Sequence, residues 1–340
     1  MIRKEKTEKI PLQLTFLEKI QNIIPAHNSM VNELIDLLDI SMDSAYRRLR
    51  GETSLTIEEV VILCNHYKIS FDSFINLESG NVTFNYTTMD HGIGSFNEYL
   101  ISLKRDMEII HLAKDHQIIY ACEDVPIFHN INFPAISAFK MFYWMKSIMN
   151  APGLDGALFD VSAIPQEFGK LAQEIYALYC TIPSVEIWTD TTIQSTVKQI
   201  AFYWESGMFK TQEDALAVCQ SLKDEIATVQ KQAELGTKYL KPDMKPEYEN
   251  NYSLYFSDIE ITNNTVLVKL GDTKAVYLGH QTFNTMSTSN RAYCKETDEW
   301  MDNLISKSTL ISGVSVKHRY QFFRQANKHI DNVIARIERD

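Results

Sequence analysis

The sequence predicts a multi-domain chain, with a small all-α domain at the N-terminus and a larger mixed α/β (α+β) domain after it. Three observations predict this. The chain has 340 residues, which favours two domains over one. Residues 12 to about 77 hold only short helical patterns with tight breaks. From residue 95 onward, apolar β-like runs such as QIIYAC, SVEIW and TVLVKL interleave with helical stripes. The expected boundaries are 10–78 for the first domain, 79–94 for a stretch rich in Gly, Asn and Thr that reads as a linker or as a strand followed by a turn, and 95–340 for the second.

Within the first domain, Leu14, Leu17, Ile20, Ile23 and Ile24 recur at helical spacing. Asn28 or Ser29 can cap the next helix, whose apolar set is Val31, Leu34, Ile35, Leu37 and Leu38. Ser41 can cap a third helix, Met42 to Arg50, and Gly51 stops it as helix C-caps do. Thr56 opens a fourth, with Glu58 and Glu59 in its first turn, where carboxylates suit the helix dipole. A short fifth helix is expected around Phe71 to Leu77.

In the second domain, Ser95-Phe96-Asn97-Glu98 reads as a capping box opening a helix through Ile110. Gln117 to Cys122 reads as a buried strand, Glu123 to Pro134 as a loop, and Ala135 to Met149 as a helix. Helices are expected over 166–178, 192–204 and about 211–235, with SVEIW as a strand between the first two. YSLYFSDIEI, TVLVKL and AVYLGH read as strands joined by hairpin turns at Asn263-Asn264 and Gly271-Asp272. Helices over about 296–306 and 315–337 finish the chain. About 245 residues suffice for an independent core.

Composition excludes several classes. A net charge of -11 argues against a surface that binds nucleic acid along its whole length, while leaving room for one small basic face. Five scattered cysteines without a CxxC argue against a disulfide framework or zinc cluster and point to reduced, cytoplasmic thiols. No apolar run reaches a membrane span, and the N-terminus lacks the apolar core of a secretory signal. No Gly-rich phosphate loop, GxSxG or HExxH appears, so no cofactor, resident metal or enzymatic activity is expected.

The informative stretch is ELIDLLDISMDSAYRRLRG, 33–51, where Arg47, Arg48 and Arg50 cluster just ahead of a helix stop. Leu34, Leu38, Ile40, Ala45 and Leu49 form an apolar seam holding two helices at an angle. Residues 1–75 hold nine basic and eleven acidic residues, a net of -2, so the basic character is local. The pattern resembles the helix-turn-helix of Cro/cI-like repressors, more narrowly the BetR-type domains of bacterial transcriptional regulators, over about 65 residues. Two positions depart from that family, Ile35 for a small residue and Asp39 for the turn glycine. Asp adopts the left-handed conformation more readily than most residues, so the turn is expected to survive.

The resemblance implies that the helix from Met42 enters the major groove of double-stranded DNA. Ser41, Met42, Asp43 and Ser44 would approach base edges, Tyr46 would be exposed on the same DNA-binding surface, Arg47 would reach a base or nearby phosphate, and Arg48 or Arg50 the backbone. Thr53 and Ser54 would be phosphate donors. One such unit binds weakly, which implies a homodimer. The second domain would then dimerise the chain or sense an unknown small-molecule or protein effector. Within it, Glu123, Asp124 and His129 follow a buried strand, where loops line ligand crevices, although a solvated loop explains them as well. The alternative reading is an enzyme or protein-interaction module whose helix-turn-helix no longer reads DNA.

Overall fold

The computed structural model describes residues 12–24, 28–67, 69, 71, 81–88, 93–163, 166–241, 248–281 and 284–340. By internal contacts the chain divides into two compact units, Met1–Thr83 and Phe84–Asp340.

The first unit contains helices α1 (Leu12–Ile23), α2 (Met30–Leu38), α3 (Met42–Leu49) and α4 (Ile57–Tyr67). Each turns one face inward. Phe16, Leu17 and Ile20 of α1 meet Met30 and Leu34 of α2, Ala45 of α3 and Leu63 of α4 in one core. Ala45 is fully buried, so a small side chain lets α3 approach closely. Ser29 occupies the N-cap of α2 with extended backbone but makes no cap bond. Asn28 instead donates its Nδ2 to Glu33 at 2.9 Å. At α4, Thr56 and Glu59 form a reciprocal capping box: the Glu59 amide donates to Thr56 Oγ1 at 3.2 Å, and the Thr56 amide to Glu59 Oε2 at 3.0 Å. The helix expected over 71–77 lies outside the described residues, apart from Phe71.

The second unit runs β1 (Asn85–Tyr86), α5 (Ile93–Leu112), β2 (His116–Cys122), α6 (Ile127–Asn130), α7 (Pro134–Tyr143), α8 (Gln166–Thr181), β3 (Ser184–Trp188), α9 (Thr191–Glu205) and α10 (Gln212–Leu235). It continues with β4 (Tyr252–Phe256), β5 (Thr265–Leu270), β6 (Thr273–His280), β7 (Asn284–Thr288), α11 (Arg291–Ser306), β8 (Thr309–Leu310) and α12 (Val316–Ile337). The class is mixed α+β. Among the described residues the strands form one sheet, in the order β1-β7-β6-β5-β2-β3-β4-β8. β2, β3 and β4 are parallel neighbours, with Tyr120 opposite Glu186 and Glu186 opposite Leu254. The other pairings are antiparallel.

β2 is buried on both faces, which is why it reads as a continuous apolar run. Ile118, Tyr120 and Cys122 enter the larger core, shared with α5, α7, α8, α9, α10 and α12. Ile119 and Ala121 face the opposite way, with Ile187, Leu267 and Val276, under Cys294, Met301 and Leu304 of α11. Trp144, Trp188 and Tyr203 lie in the larger core, as their apolar surroundings suggest.

Several local expectations are corrected. Of the two readings of 79–94, linker or strand and turn, the structure has a short strand, β1, paired with β7, and α5 begins at Ile93 rather than at residue 95. Ser95 therefore lies inside α5, past its first residue, Ile93. The loop expected over 123–134 contains α6. Asn263-Asn264 is no hairpin turn, because β4 runs parallel beside β3 while β5 pairs with β2. Gly271-Asp272 does join β5 and β6 as a two-residue hairpin, with Gly271 at φ 56. Among the described residues no helix is long and apolar enough to cross a membrane.

Candidate nucleic-acid interface

The turn between α2 and α3 is three residues, Asp39 to Ser41. Asp39 takes the left-handed conformation at φ 51, ψ 51, and so reverses the chain where the glycine is missing. Ile40 is half-buried against the core and anchors the turn. Ser41 is the N-cap of α3, accepting from the Ser44 amide at 3.3 Å and donating to Ser44 Oγ at 3.0 Å. Gly51, at φ +75, ends the helix.

On α3, Met42, Asp43, Tyr46, Arg47 and Arg50 are exposed and share one side of the helix. Met42 is 58% exposed and Tyr46 45%, high values for such large apolar-bodied side chains. Ala45 is buried in the core and Leu49 packs against it. Ser44 is half-buried, so of the two cap serines only Ser41 is exposed.

Each arginine has an acidic neighbour. Arg48, expected as one of two candidates (with Arg50) for the DNA backbone, is half-buried in a two-pronged ion pair with Glu59 of α4. Nη2 meets Oε1 at 2.7 Å and Nε meets Oε2 at 3.0 Å. Its Nη1 also donates to the Ser44 carbonyl at 3.3 Å. Burial works to raise the Glu59 carboxyl, but the Arg48 guanidinium and the Thr56 amide outweigh it and hold it below its ordinary value. Arg48 is thus a clamp between α3 and α4. Arg50 pairs with Glu52 at 2.6 and 3.0 Å in full solvent. Arg47 lies 3.9 Å from the same carboxylate and is the least committed of the three.

The segment after α3 is held by a residue that the sequence did not flag. Gln13 of α1 donates to the carbonyls of Arg48 and Thr53 at 2.8 and 2.9 Å and accepts from the Leu55 amide at 2.8 Å. Three bonds from one side chain fix the chain around Thr53 and Ser54. Thr53 is half-buried and Ser54 exposed. Nothing in the local pattern distinguishes Gln13 from an ordinary exposed glutamine, because its partners lie 35–42 residues away.

The second group of candidates does not form a solvated loop. Asp124 and His129 are buried, and only Glu123 is exposed. Asn264 Oδ1 accepts from the amides of Glu123 and Asp124 at 2.9 and 3.2 Å. Asp124 Oδ2 accepts from Lys140 Nζ at 2.7 Å, and Lys140 also donates to Gln199 at 3.1 Å. Glu225 is fully buried and carries no partner among the described residues; burial pushes its carboxyl well above the ordinary range, and Lys140 only partly offsets this.

His129 belongs to a separate network. Its Nε2 lies 2.8 Å from Glu186 Oε1. Glu186 also accepts from the Tyr179 hydroxyl, from Trp188 Nε1 at 2.8 Å and from Tyr252 at 3.0 Å. Burial raises the Glu186 carboxyl, and the charge and hydrogen bond of His129 more than offset it, leaving it lowered. Beside this network Lys238 lies over the Tyr179 ring at 3.7 Å, and burial brings its ammonium down to about 7. The structure therefore brings Asp124 and His129 into the core in different networks. Among the described residues no group of three or more His, Cys, Asp or Glu is placed to hold a metal ion.

Comparison with family models, with curated proteins and with solved structures finds no match to this chain.

Proposed function

We propose that the chain is a sequence-specific DNA-binding transcriptional regulator. In this reading α3 enters the major groove, the chain acts as a homodimer, and the larger unit dimerises it or senses an effector. The observation that carries the reading is the exposed side of α3, with Met42, Asp43, Tyr46, Arg47 and Arg50 displayed together on a helix clamped from behind. The side chains suit groove contacts. Asp43 can accept from a cytosine amino group, Met42 can pack on a thymine methyl, and Arg47 can take guanine or phosphate. The residues predicted at the backbone are revised: Arg48 positions the helix, and Arg50 reaches a phosphate only by leaving Glu52.

A second reading draws on two specific observations. The carboxylates Asp43, Glu52 and Glu59 stand among the three arginines, which leaves the patch near neutrality. On α4, Ile57, Val61 and Ile62 are 79%, 50% and 42% exposed. Both features suit a protein-interaction module.

Selection of purified protein on random duplexes at two salt concentrations separates the two. Recovery of a two-fold symmetric motif, lost in Arg47→Ala with Tyr46→Ala, supports the regulator. Failure to enrich any duplex at low salt refutes it.

A further inference from the structure

The larger unit contains a cavity of about 260 Å³ between α5 and the sheet, bounded by residues of β1, β2, β5, β6 and β7. A narrower chamber of about 60 Å³ shares Tyr99, Tyr120, Tyr277 and Asn284 with it and ends on Asp124, Asn130 and Lys140. Together they reach the lower end of the ~300–1,000 Å³ that small-molecule sites occupy. The body of the cavity is apolar, with Leu103, Met107, Ile118 and Val268 among its walls.

Its polar groups are one-sided. Glu98 and Asp106 of α5 line the main chamber, and among the described residues no Lys, Arg or His lines it. In the inner chamber Lys140 is the one cation among the described residues, already bonded to Asp124 and Gln199. Asp106 makes no ion pair among the described residues; burial raises its carboxyl, and Arg105 only partly counters this. Tyr99 and Tyr277 line the same chamber as Asp106, and burial, with a smaller contribution from the Asp106 charge, raises both phenols. Asn130 is 4% exposed. Its Nδ2 donates to the Val125 carbonyl at 3.2 Å, while its Oδ1 has no partner among the described residues. A buried acceptor left in this way calls for a donor.

We propose that this cavity binds a small organic amine. The apolar or aromatic body lies against Ile118, Leu103 and Val268, and the ammonium meets Asp106 beside Tyr99 and Tyr277. A carboxylate and aromatic faces together attract an ammonium, and the surplus of carboxylates repels an acid of the same shape. The inference stands on the cavity alone. Duplex selection without any amine tests the DNA reading separately, so failure of one is distinguishable from failure of the other.

The test is titration calorimetry of the full chain with 2-phenylethylamine and n-hexylamine, each against its acid counterpart, 3-phenylpropanoate and hexanoate. Both amines are expected to bind and both acids to fail. Asp106→Asn is expected to weaken amine binding at least about tenfold, or about 1.4 kcal/mol. Ser102→Trp, at an exposed lining position on α5, is expected to block entry with the fold intact by circular dichroism. Acids binding as well as amines, no amine binding up to about 5 mM, or wild-type affinity in Asp106→Asn would overturn the proposal.

Discussion

Replacing Arg48 by alanine is expected to loosen the N-terminal unit, and to affect DNA only through that loosening. Its side chain and that of Glu59 are each 13% exposed, so solvent screens the pair only weakly. Truncation removes two charge-assisted bonds to Glu59 and a third to the Ser44 carbonyl. It leaves Glu59 with the Thr56 amide alone in a largely buried position. An exposed pair of this kind is worth under ~1 kcal/mol, and breaking a fully buried one costs ~3–5 kcal/mol. A cost of about 2–3 kcal/mol follows for this intermediate case. Hydrogen–deuterium exchange over peptides spanning 42–67 reads it directly, as a protection loss of about 30- to 150-fold. Arg48→Met combined with Glu59→Gln keeps the capping box and removes the stranded charge, so protection is expected to return to within ~1 kcal/mol of wild type. Arg47→Ala, at a 53% exposed side chain, is expected to leave exchange unchanged and weaken DNA binding. The reasoning fails if Arg48→Ala exchanges like wild type. It fails equally if the double variant regains protection but not affinity for the selected duplex, since Arg48 would then touch DNA.

Three further outcomes are expected. Arg47 and Arg50 are the arginines exposed on α3, and Arg50 is tied to Glu52, so the slope of log affinity against log salt should be no steeper than about -2 per copy and about -4 for a dimer; a slope near -8 in salt titration would mean a basic surface elsewhere. Lys238 titrates near 7 when folded and near 10.4 when unfolded, so between these values the unfolded chain binds the extra proton and this group adds stability as pH rises. Lys238→Met should therefore lose up to about 1.4 kcal/mol per pH unit of slope relative to wild type in denaturant titrations between pH 7 and 9, and an unchanged slope would refute the assignment. Asp39→Gly should raise the unfolding free energy in denaturant titration by about 0.5–1 kcal/mol, because glycine meets the left-handed turn without a Cβ penalty; destabilisation would show that the Asp39 side chain contributes more than its backbone costs.

What could be read from the sequence was local and periodic. α1 to α4 follow from apolar spacing and from Ser41, Gly51 and Thr56 as punctuation. The β5–β6 hairpin follows from Gly271-Asp272 between two apolar runs. Asn263-Asn264 carried the same turn signal and misled, because Asn264 is used instead to hold the amides of Glu123 and Asp124, some 140 residues away. β7, with the polar sequence NTMST, gave no apolar alternation and is a strand through its pairing with β6. Ser95 to Glu98 had the composition of a capping box, yet the helix already runs through it. The site behaved in the same way. The short helix after the turn and its exposed arginines were legible, but nothing local could tell that Arg48 meets Glu59 or that Asp124 and His129 serve separate buried networks.

The pairing of the three arginines bears on how such a helix could select DNA. A patch with free arginines would gain affinity from phosphate charge and would bind any duplex, with a steep loss at high salt. Here Arg48 is tied to α4 and Arg50 to Glu52, so little charge remains for the backbone. The same ties hold the helix in one pose, as do the cap at Ser41 and the three bonds from Gln13. Ordering that is complete before binding lowers the entropic cost of each contact then made. Under the proposed function, contact energy is therefore weighted towards base edges, through Met42, Asp43, Tyr46 and Arg47, and away from phosphates. On that proposal a single copy would hold DNA weakly even at the right sequence. Two copies at matched half-sites add their contacts while ordering costs stay low, so such an acidic chain can reach useful affinity at specific sites and still leave non-specific DNA largely unoccupied.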